Sequence, residues 1–450
     1  MERGPSAGAP SWAARGKTRF FGEHFLLGAI GAGYTDALRA KVKLLAVCLS
    51  SIVFYTTGCR HFEAREHRRP PSIALNGQPQ SNLSDGCPDR YDPGVDYFPE
   101  KVTFRYARQI RVTYHRNYKV IEFNPSVHTK ETFRYVLVQC GTPAPKGYER
   151  AHTVQVPVQR FTLNHPEFGA AAVRLGLLER LVGVPSLLAY SLPEIVEAGR
   201  RGAIHEVGSR GHAALEPTVA VDPDVAFLFY SAFPNANLHP QLWQLGVEGV
   251  PLASHFEPLP LGRSEWIKFF ALFFNKEREA EAMFAPAAQR YEDLARVANA
   301  AGRRPEVLLG IPSGRDIWAL YGGRNFMSQL VCDAGGHYFW QDQQAGSLVL
   351  ADYERVFDES LDTAVWVGGN GVNRISNRQD LIRNDPRLAF FTPVEHGDVF
   401  AGDRGMDKRR AMPYSDQSLD KPDVVLADFV AALHPELVPG HRPVFLRKLD

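Results

Sequence analysis

The sequence predicts an α/β protein of two lobes, each with a short, mostly parallel sheet, joined by one long helix and preceded by a strand-rich insert. Three observations predict it. The first is a repeated grammar. Leu215-Glu216 leads through a short mixed stretch to Asp224 and the apolar run Val225 to Phe229, and Tyr353-Glu354 leads likewise to Asp362 and the run Thr363 to Val367. In each copy the glutamate stands eight positions before the aspartate that opens a buried-strand pattern. A short helix feeding a hydrophobic strand is an α/β unit, and its repetition implies two lobes with a cleft between them. The second observation lies between the copies. Trp266, Phe269, Phe270, Phe273 and Phe274 recur at helical steps, and after Asn275 the run Ala280, Met283, Phe284, Ala287, Tyr291, Leu294 and Val297 continues the period. The third is size: 450 residues, 44% hydrophobic, allow two or three domains of about 150 residues. A net charge of +1 without a long basic block gives a nucleic-acid partner no electrostatic support.

In chain order, Lys41 and Lys43 precede an apolar run from Leu44 to Tyr55 and then Thr56-Thr57-Gly58-Cys59. The run is too short for a spanning helix, which needs about 20 apolar residues, and its basic flank and small terminal residues describe an export signal. Ending in Gly58-Cys59, it resembles a lipoprotein lipobox with Cys59 as the lipidated residue, although Thr56 departs from the usual leucine. Residues 1–59 are therefore read as leader and lipoprotein signal. Residues 1–40 are either upstream of the true start or a cytoplasmic extension. The Pro- and Arg-rich stretch within 60–100 reads as a tether.

Residues 101–270 form the expected N-terminal lobe. It opens on a hairpin from Gln109 to Phe123, broken at His115-Arg116-Asn117, and a strand from Phe133 to Cys140. Further strands are expected at Val156 to Phe161, Val225 to Phe229 and Val250 to Ala253, and between the first two the lobe passes through the stretch Leu177 to Val184. Residues 271–302 are the connecting helix, with Asn275 as its expected N-cap and Pro286 inside it. Residues 303–450 are the C-terminal lobe. It has a strand at Val307 to Ile311, a helix from Phe326 stopped at Gly335-Gly336, a strand at Ala364 to Val367 and a closing helix from Val424 to Leu433. Cys87 and Cys140 flank the strand-rich insert and could pair in an oxidising compartment, with Cys332 left single; three free thiols are the alternative.

Four segments in this order carry a resemblance: Phe133 to Pro143, Leu177 to Val184, Leu261 to Phe269, and Asp333-Ala334-Gly335-Gly336. From about residue 105 onward the chain resembles the cobalamin, haem and ferric-siderophore group of ABC-transporter substrate-binding proteins, in a lipoprotein branch of iron type. The resemblance implies two lobes on a rigid helix and a periplasmic, lipid-anchored monomer. It also implies delivery of an iron chelate, haem or corrinoid to an ABC permease dimer whose arginines read one acidic residue on each lobe, here Glu216 and Glu354. No enzyme activity and no resident cofactor are expected.

Ligands of parallel sheets bind beyond the carboxyl ends of the strands. On that ground the expected cleft residues are Arg160, Tyr190, Tyr230, Phe233 and His255 from the first lobe, and Arg315, Trp318, Tyr321, Asn370 and Arg404 from the second. Arginine with aromatic rings suits a planar or anionic chelate. Two other readings stand beside this one. The first is capture of a bare metal ion by His165 and His255. The second is a chelatase-like tetrapyrrole enzyme, which demands a histidine with a carboxylate partner in the cleft. Gly310-Ile311-Pro312-Ser313-Gly314 is not a nucleophile elbow, Gly368-Gly369-Asn370-Gly371 lacks dinucleotide spacing, and no phosphate loop is present.

Overall fold

The computed structural model describes residues 70–450 apart from Asn76, 126–130, 210–211, Arg315 and 369–374. The leader, Cys59, Arg315 and Asn370 lie outside the described residues. Among those described, no helix is long and apolar enough to cross a membrane.

The strand-rich insert is a four-stranded sheet of β1 (Ile110–Tyr114), β2 (Tyr118–Phe123), β3 (Phe133–Gln139) and β4 (His152–Val156), in that order, antiparallel except for the β3–β4 pair. Alternation aims Ile121, Phe123, Tyr135 and Leu137 into the main core and Val120, Val136 and Val138 into a smaller outer cluster. The disulfide Cys87–Cys140 closes this region onto the tether, resolving the cysteine alternatives, and Cys332 is free. The strand expected over Val156 to Phe161 is two strands instead. β4 ends at Val156 and β5 starts at Phe161, because Pro157 brings no N–H for a ladder.

The first lobe continues with β5 (Phe161–Leu163), α1 (Gly169–Arg174), β6 (Leu181–Val184), α2 (Pro193–Arg200), β7 (His205–Glu206), α3 (Leu215–Ala220), β8 (Val225–Phe229), α4 (His239–Gln244) and β9 (Glu248–Leu252). Its sheet has the order β9-β8-β5-β6-β7, with every pairing parallel. Helix α5 (Pro260–Leu272) is buried along its whole length. Its three interior charges are placed rather than tolerated. Glu265 accepts the backbone N–H groups of Arg105, Tyr106 and Ala107 at 2.9, 2.7 and 2.8 Å, while Lys268 pairs with Glu265 at 3.0 Å.

The long helix α6 covers Glu277–Asn299, 23 residues and about 34 Å, and carries Pro286. Asn275 is not its N-cap. With φ at 56° it takes the left-handed turn between α5 and α6, a conformation asparagine tolerates and an N-cap does not use. Its side chain instead accepts from Lys119 Nζ at 2.9 Å and donates to Leu83 O at 2.7 Å and Gln139 Oε1 at 2.9 Å.

The second lobe has β10 (Glu306–Pro312), β11 (Ile317–Tyr321), α7 (Phe326–Asp333), β12 (His337–Tyr338), β13 (Leu348–Asp352), α8 (Tyr353–Ser360) and β14 (Val365–Val367). After these come α9 (Arg378–Asn384), α10 (Thr392–Glu395), β15 (Asp398–Ala401), α11 (Pro413–Gln417), α12 (Pro422–Leu433) and β16 (Arg447–Lys448). Its parallel strands run β12-β10-β14-β15. In the first lobe the corresponding four run β6-β5-β8-β9. Numbered within each lobe, both orders are 2-1-3-4, so the repeated grammar of the sequence is a repeated topology. The second sheet adds the antiparallel hairpin β11–β13 on β10 and closes with β16 against β15. One continuous apolar core runs through both lobes, from Phe227 and Phe270 to Trp366 and Phe429.

Candidate functional site

In a parallel sheet the strand carboxyl ends and the amino ends of the following helices lie on one edge. Helix α3 precedes β8 and helix α8 precedes β14, and in each the exposed glutamate is the second helical residue, Glu216 and Glu354. Both therefore stand on the same edge of their sheets as the strand carboxyl ends.

The carboxyl ends of β5, β8 and β9 converge on Glu167. It lies in the short turn after β5 with its carboxylate buried, where it pairs with Arg263 of α5 at 2.6 Å and accepts from the Ser254 hydroxyl at 2.7 Å. Burial alone would raise the Glu167 carboxyl, but Arg263, His165 and His255 hold it below the usual carboxylate range. The Phe229 ring contacts both imidazoles, His255 stacked at 4.3 Å and His165 tilted at 4.8 Å. Burial pushes His255 down to about 4, against the opposing pull of Glu167, so it is neutral at pH 7. Burial lowers His165 as well.

Second-lobe groups close over this cluster. The Arg263 guanidinium lies 5.0 Å from the Phe326 ring centre and reaches Ser418 Oγ at 3.5 Å. Tyr414 donates to Met327 Sδ at 3.3 Å. Burial, then Tyr414 beside it, raises the Tyr321 phenol to about 12. Among the described residues His255 Nδ1, Arg263 Nε and both side-chain polar atoms of Asn164 are buried without a hydrogen-bond partner, and all belong to this region. On the second lobe a cavity of about 550 Å³ opens beyond the carboxyl end of β15, lined by Asp403, Met406, Lys408, Arg410, Met412 and Arg447 among others.

Of the residues expected from sequence, His255 lies in this cluster, Tyr321 lies beside Tyr414 and Arg263, and Phe233, 78% exposed, follows β8. The remainder sit elsewhere. Arg160 precedes β5 at the amino edge of the sheet, where it donates to Asp222 O at 2.9 Å and Val221 O at 2.7 Å behind α3. Trp318 is inside β11 and fully buried against Trp366 and Phe391, because the chain turns straight back into a hairpin after β10. Tyr190 is fully buried, with its hydroxyl 3.5 Å from Leu163 O. Tyr230 turns under the insert and donates to Glu131 at 2.7 Å. Arg404 is exposed, and its backbone N–H donates to Phe445 O at 3.2 Å. The sequence reading passed over Glu167, Arg263, Ser254, Tyr414, Lys408 and Arg410. A charge inside the apolar stretch of α5 was the available signal for Arg263.

A lipoprotein of Methanocaldococcus jannaschii is 27% identical over 253 residues, 55% of this chain, and the match spans only 57% of that relative. A second lipoprotein of that organism is 23% identical over 409 residues, 89% of this chain and 97% of its own length. Among solved structures, a periplasmic heme-binding protein from Pseudomonas aeruginosa gives a TM-score of 0.49 at 20% identity, covering 65% of this chain and 98% of that one. An ABC-transporter substrate-binding protein from Listeria monocytogenes gives 0.46 at 17%, covering 62% and 99%. Residues 171–404, just over half of the chain, match the periplasmic binding protein family, and the chain belongs to it.

Proposed function

We propose that this protein is an extracytoplasmic solute-binding lipoprotein that delivers a metal chelate, namely an iron chelate, haem or a corrinoid, to an ABC permease dimer. The observation that carries the reading is the matched placement of Glu216 and Glu354, each the second residue of the helix that feeds the third strand of a 2-1-3-4 sheet. Two carboxylates at equivalent points of two lobes suit two equivalent basic pockets on a two-fold partner. The Cys87–Cys140 disulfide supports an oxidising compartment, and both relatives named above are themselves called lipoproteins, which supports Cys59 as an anchor. The neutral His255–Phe229 stack and the Glu167–Arg263 pair suit a large, partly planar ligand with polar groups. Capture of a bare ion is less favoured, because His165 and His255 both pack on the Phe229 ring and Glu167 is committed to Arg263 and Ser254. That commitment also weighs against a chelatase.

The test is uptake in proteoliposomes with the cognate permease and ATPase, using Glu216→Arg and Glu354→Arg singly and together. Chelate affinity is expected to be unchanged while uptake falls at least tenfold in the double variant. Wild-type uptake by the double variant would remove the docking role.

A further inference from the structure

The geometry points to the free edge of β13 as a pairing strand for an extended segment of the permease, apolar at alternate positions and basic at one end. The inference rests on the docking reading above and deepens it. Among the described residues β13 pairs with β11 alone, so it is the last strand on its side of the second sheet. The residues that flank it fix which way its backbone points. Gly322 N–H donates to Ser347 O and Tyr353 N–H donates to Asp316 O, both at 3.0 Å. Antiparallel pairing alternates bonded and unbonded positions, so Val349 and Ala351 face β11 while the N–H and C=O groups of Leu348, Leu350 and Asp352 turn outward. Such an edge is a template for one more strand.

The side chains make the same edge apolar. Leu350 is 67% exposed, Leu348 54% and Ile317, diagonal to Leu350 on β11, 39%, while Val349 and Ala351 pack into the core from the other face. Sheet edges are ordinarily blunted by short strands, Pro or charge. The opposite end of this sheet follows that rule, closing on the two residues Arg447–Lys448 of β16. In contrast, the five residues of β13, Leu-Val-Leu-Ala-Asp, contain neither Pro nor Lys. Two observations select the permease as the occupant. The edge runs straight into the docking carboxylate, since Asp352 ends β13 and Glu354 is the second residue of α8, both exposed. That end is also negative, because the Asp352 carboxylate makes no cap bond to α8 and Arg387, the cation over the Tyr353 ring, is paired with Asp316 and Asp385. A segment laid along the edge meets leucines first and carboxylates last, which a strand leading into a basic pocket would match. A second copy of this chain fits less well. Antiparallel pairing about Leu350 would set each Leu348 against the other copy's Asp352 and aim the two sets of strand carboxyl ends in opposite directions.

Amide hydrogen exchange of the full chain, alone and bound to the cognate permease and ATPase in lipid nanodiscs, tests the assignment. In the free chain the amides of Leu348, Leu350 and Asp352 should exchange fast and those of Val349 and Ala351 slowly. In the complex the three outward amides should slow at least tenfold. Leu350→Lys keeps the backbone and blunts the edge with charge, and Leu350→Pro removes one outward donor without touching the β11 ladder. Each should weaken permease binding at least tenfold, the lysine variant at the wild-type melting temperature. Unslowed exchange at the three amides in the complex, or wild-type binding by Leu350→Lys, would overturn the strand pairing. The docking reading would still stand if Glu216→Arg with Glu354→Arg then abolished binding. Slow exchange of the outward amides in the free chain, together with a dimeric mass, would give the edge to a second copy and overturn the permease as occupant. A wild-type chain that does not bind the permease would overturn both.

Discussion

Asp416, on the segment that follows the last parallel strand of the second lobe, accepts the backbone N–H and the hydroxyl of Ser191, both at 2.6 Å, at the entrance to helix α2 of the first lobe. The Leu192 N–H adds a third bond at 3.1 Å, and Gln417 donates to the Ser191 hydroxyl at 2.8 Å. Asp420 of the same segment pairs with Arg174. This polar seam thus ties the lobes in addition to helix α6 and the apolar core they share. Removing the carboxylate in Asp416→Ala would leave three donors unmatched at a buried site and should cost about 2–4 kcal/mol, read as a lower urea midpoint. Burial raises the Asp416 carboxyl above the ordinary aspartate value. Its folded form therefore binds the proton more tightly than the unfolded form. This contribution to stability is present below the unfolded pKa and declines as pH rises through the folded one.

His255 acts in the opposite sense. Its folded pKa of about 4 lies below the ordinary histidine value of 6.5, so the unfolded state binds more protons between them and stability rises with pH across that window. At about 1.36 kcal/mol per unit the full effect is on the order of 3 kcal/mol, lost as pH falls from about 6.5 to about 4. Urea titrations at pH 7 and pH 5 should show the loss, and His255→Asn should flatten the difference. An unchanged slope in that variant would refute the assignment.

Lys119 and Glu277 form a fully buried ion pair at 2.7 Å where the insert meets the start of α6, and Lys119 also lies 4.6 Å from the Phe98 ring centre. Burial lowers the Lys119 ammonium while Glu277 opposes the shift. Lys119→Met leaves Glu277 charged and unmatched and should destabilise by about 3–5 kcal/mol. Adding Glu277→Leu should restore most of that loss, because an apolar pair of similar volume removes the buried charge. A double variant no better than the single one would show that the Leu272 and Asn275 acceptors deprived of Lys119, not the Glu277 charge, set the cost.

The Cys87–Cys140 bridge spans 53 residues. Closing a loop of that length removes unfolded-state entropy worth roughly 4 kcal/mol as an upper figure. Cys87→Ala with Cys140→Ala should lower the denaturation midpoint accordingly, and dithiothreitol should weaken wild type toward the variant without affecting the variant itself.

The class of fold and the double ties of sequence to topology were legible because they are local. Glu216 and Glu354 each precede an apolar strand by a short helix, and the same few residues that write the pattern also build the unit. The long helix was legible from its period, but its start was not, since Asn275 reads equally well as a cap or as a left-handed turn until Lys119, Leu83 and Gln139 are brought around it. Site residues were the least legible. Trp318 and Tyr190 look like cleft aromatics along the chain, yet packing places both in the core.

What the sequence by itself determined is the repeated helix-into-strand unit and the cysteines that bound the insert, since periodicity and spacing are properties of neighbours along the chain. What only the tertiary structure decided is which charges meet. Glu167 finds Arg263, Asp416 finds Ser191, and Asp403 finds Arg447 across separations that no local pattern encodes. Electrostatic pairing depends on distance in space and on exclusion of water, and both exist only after the core has formed.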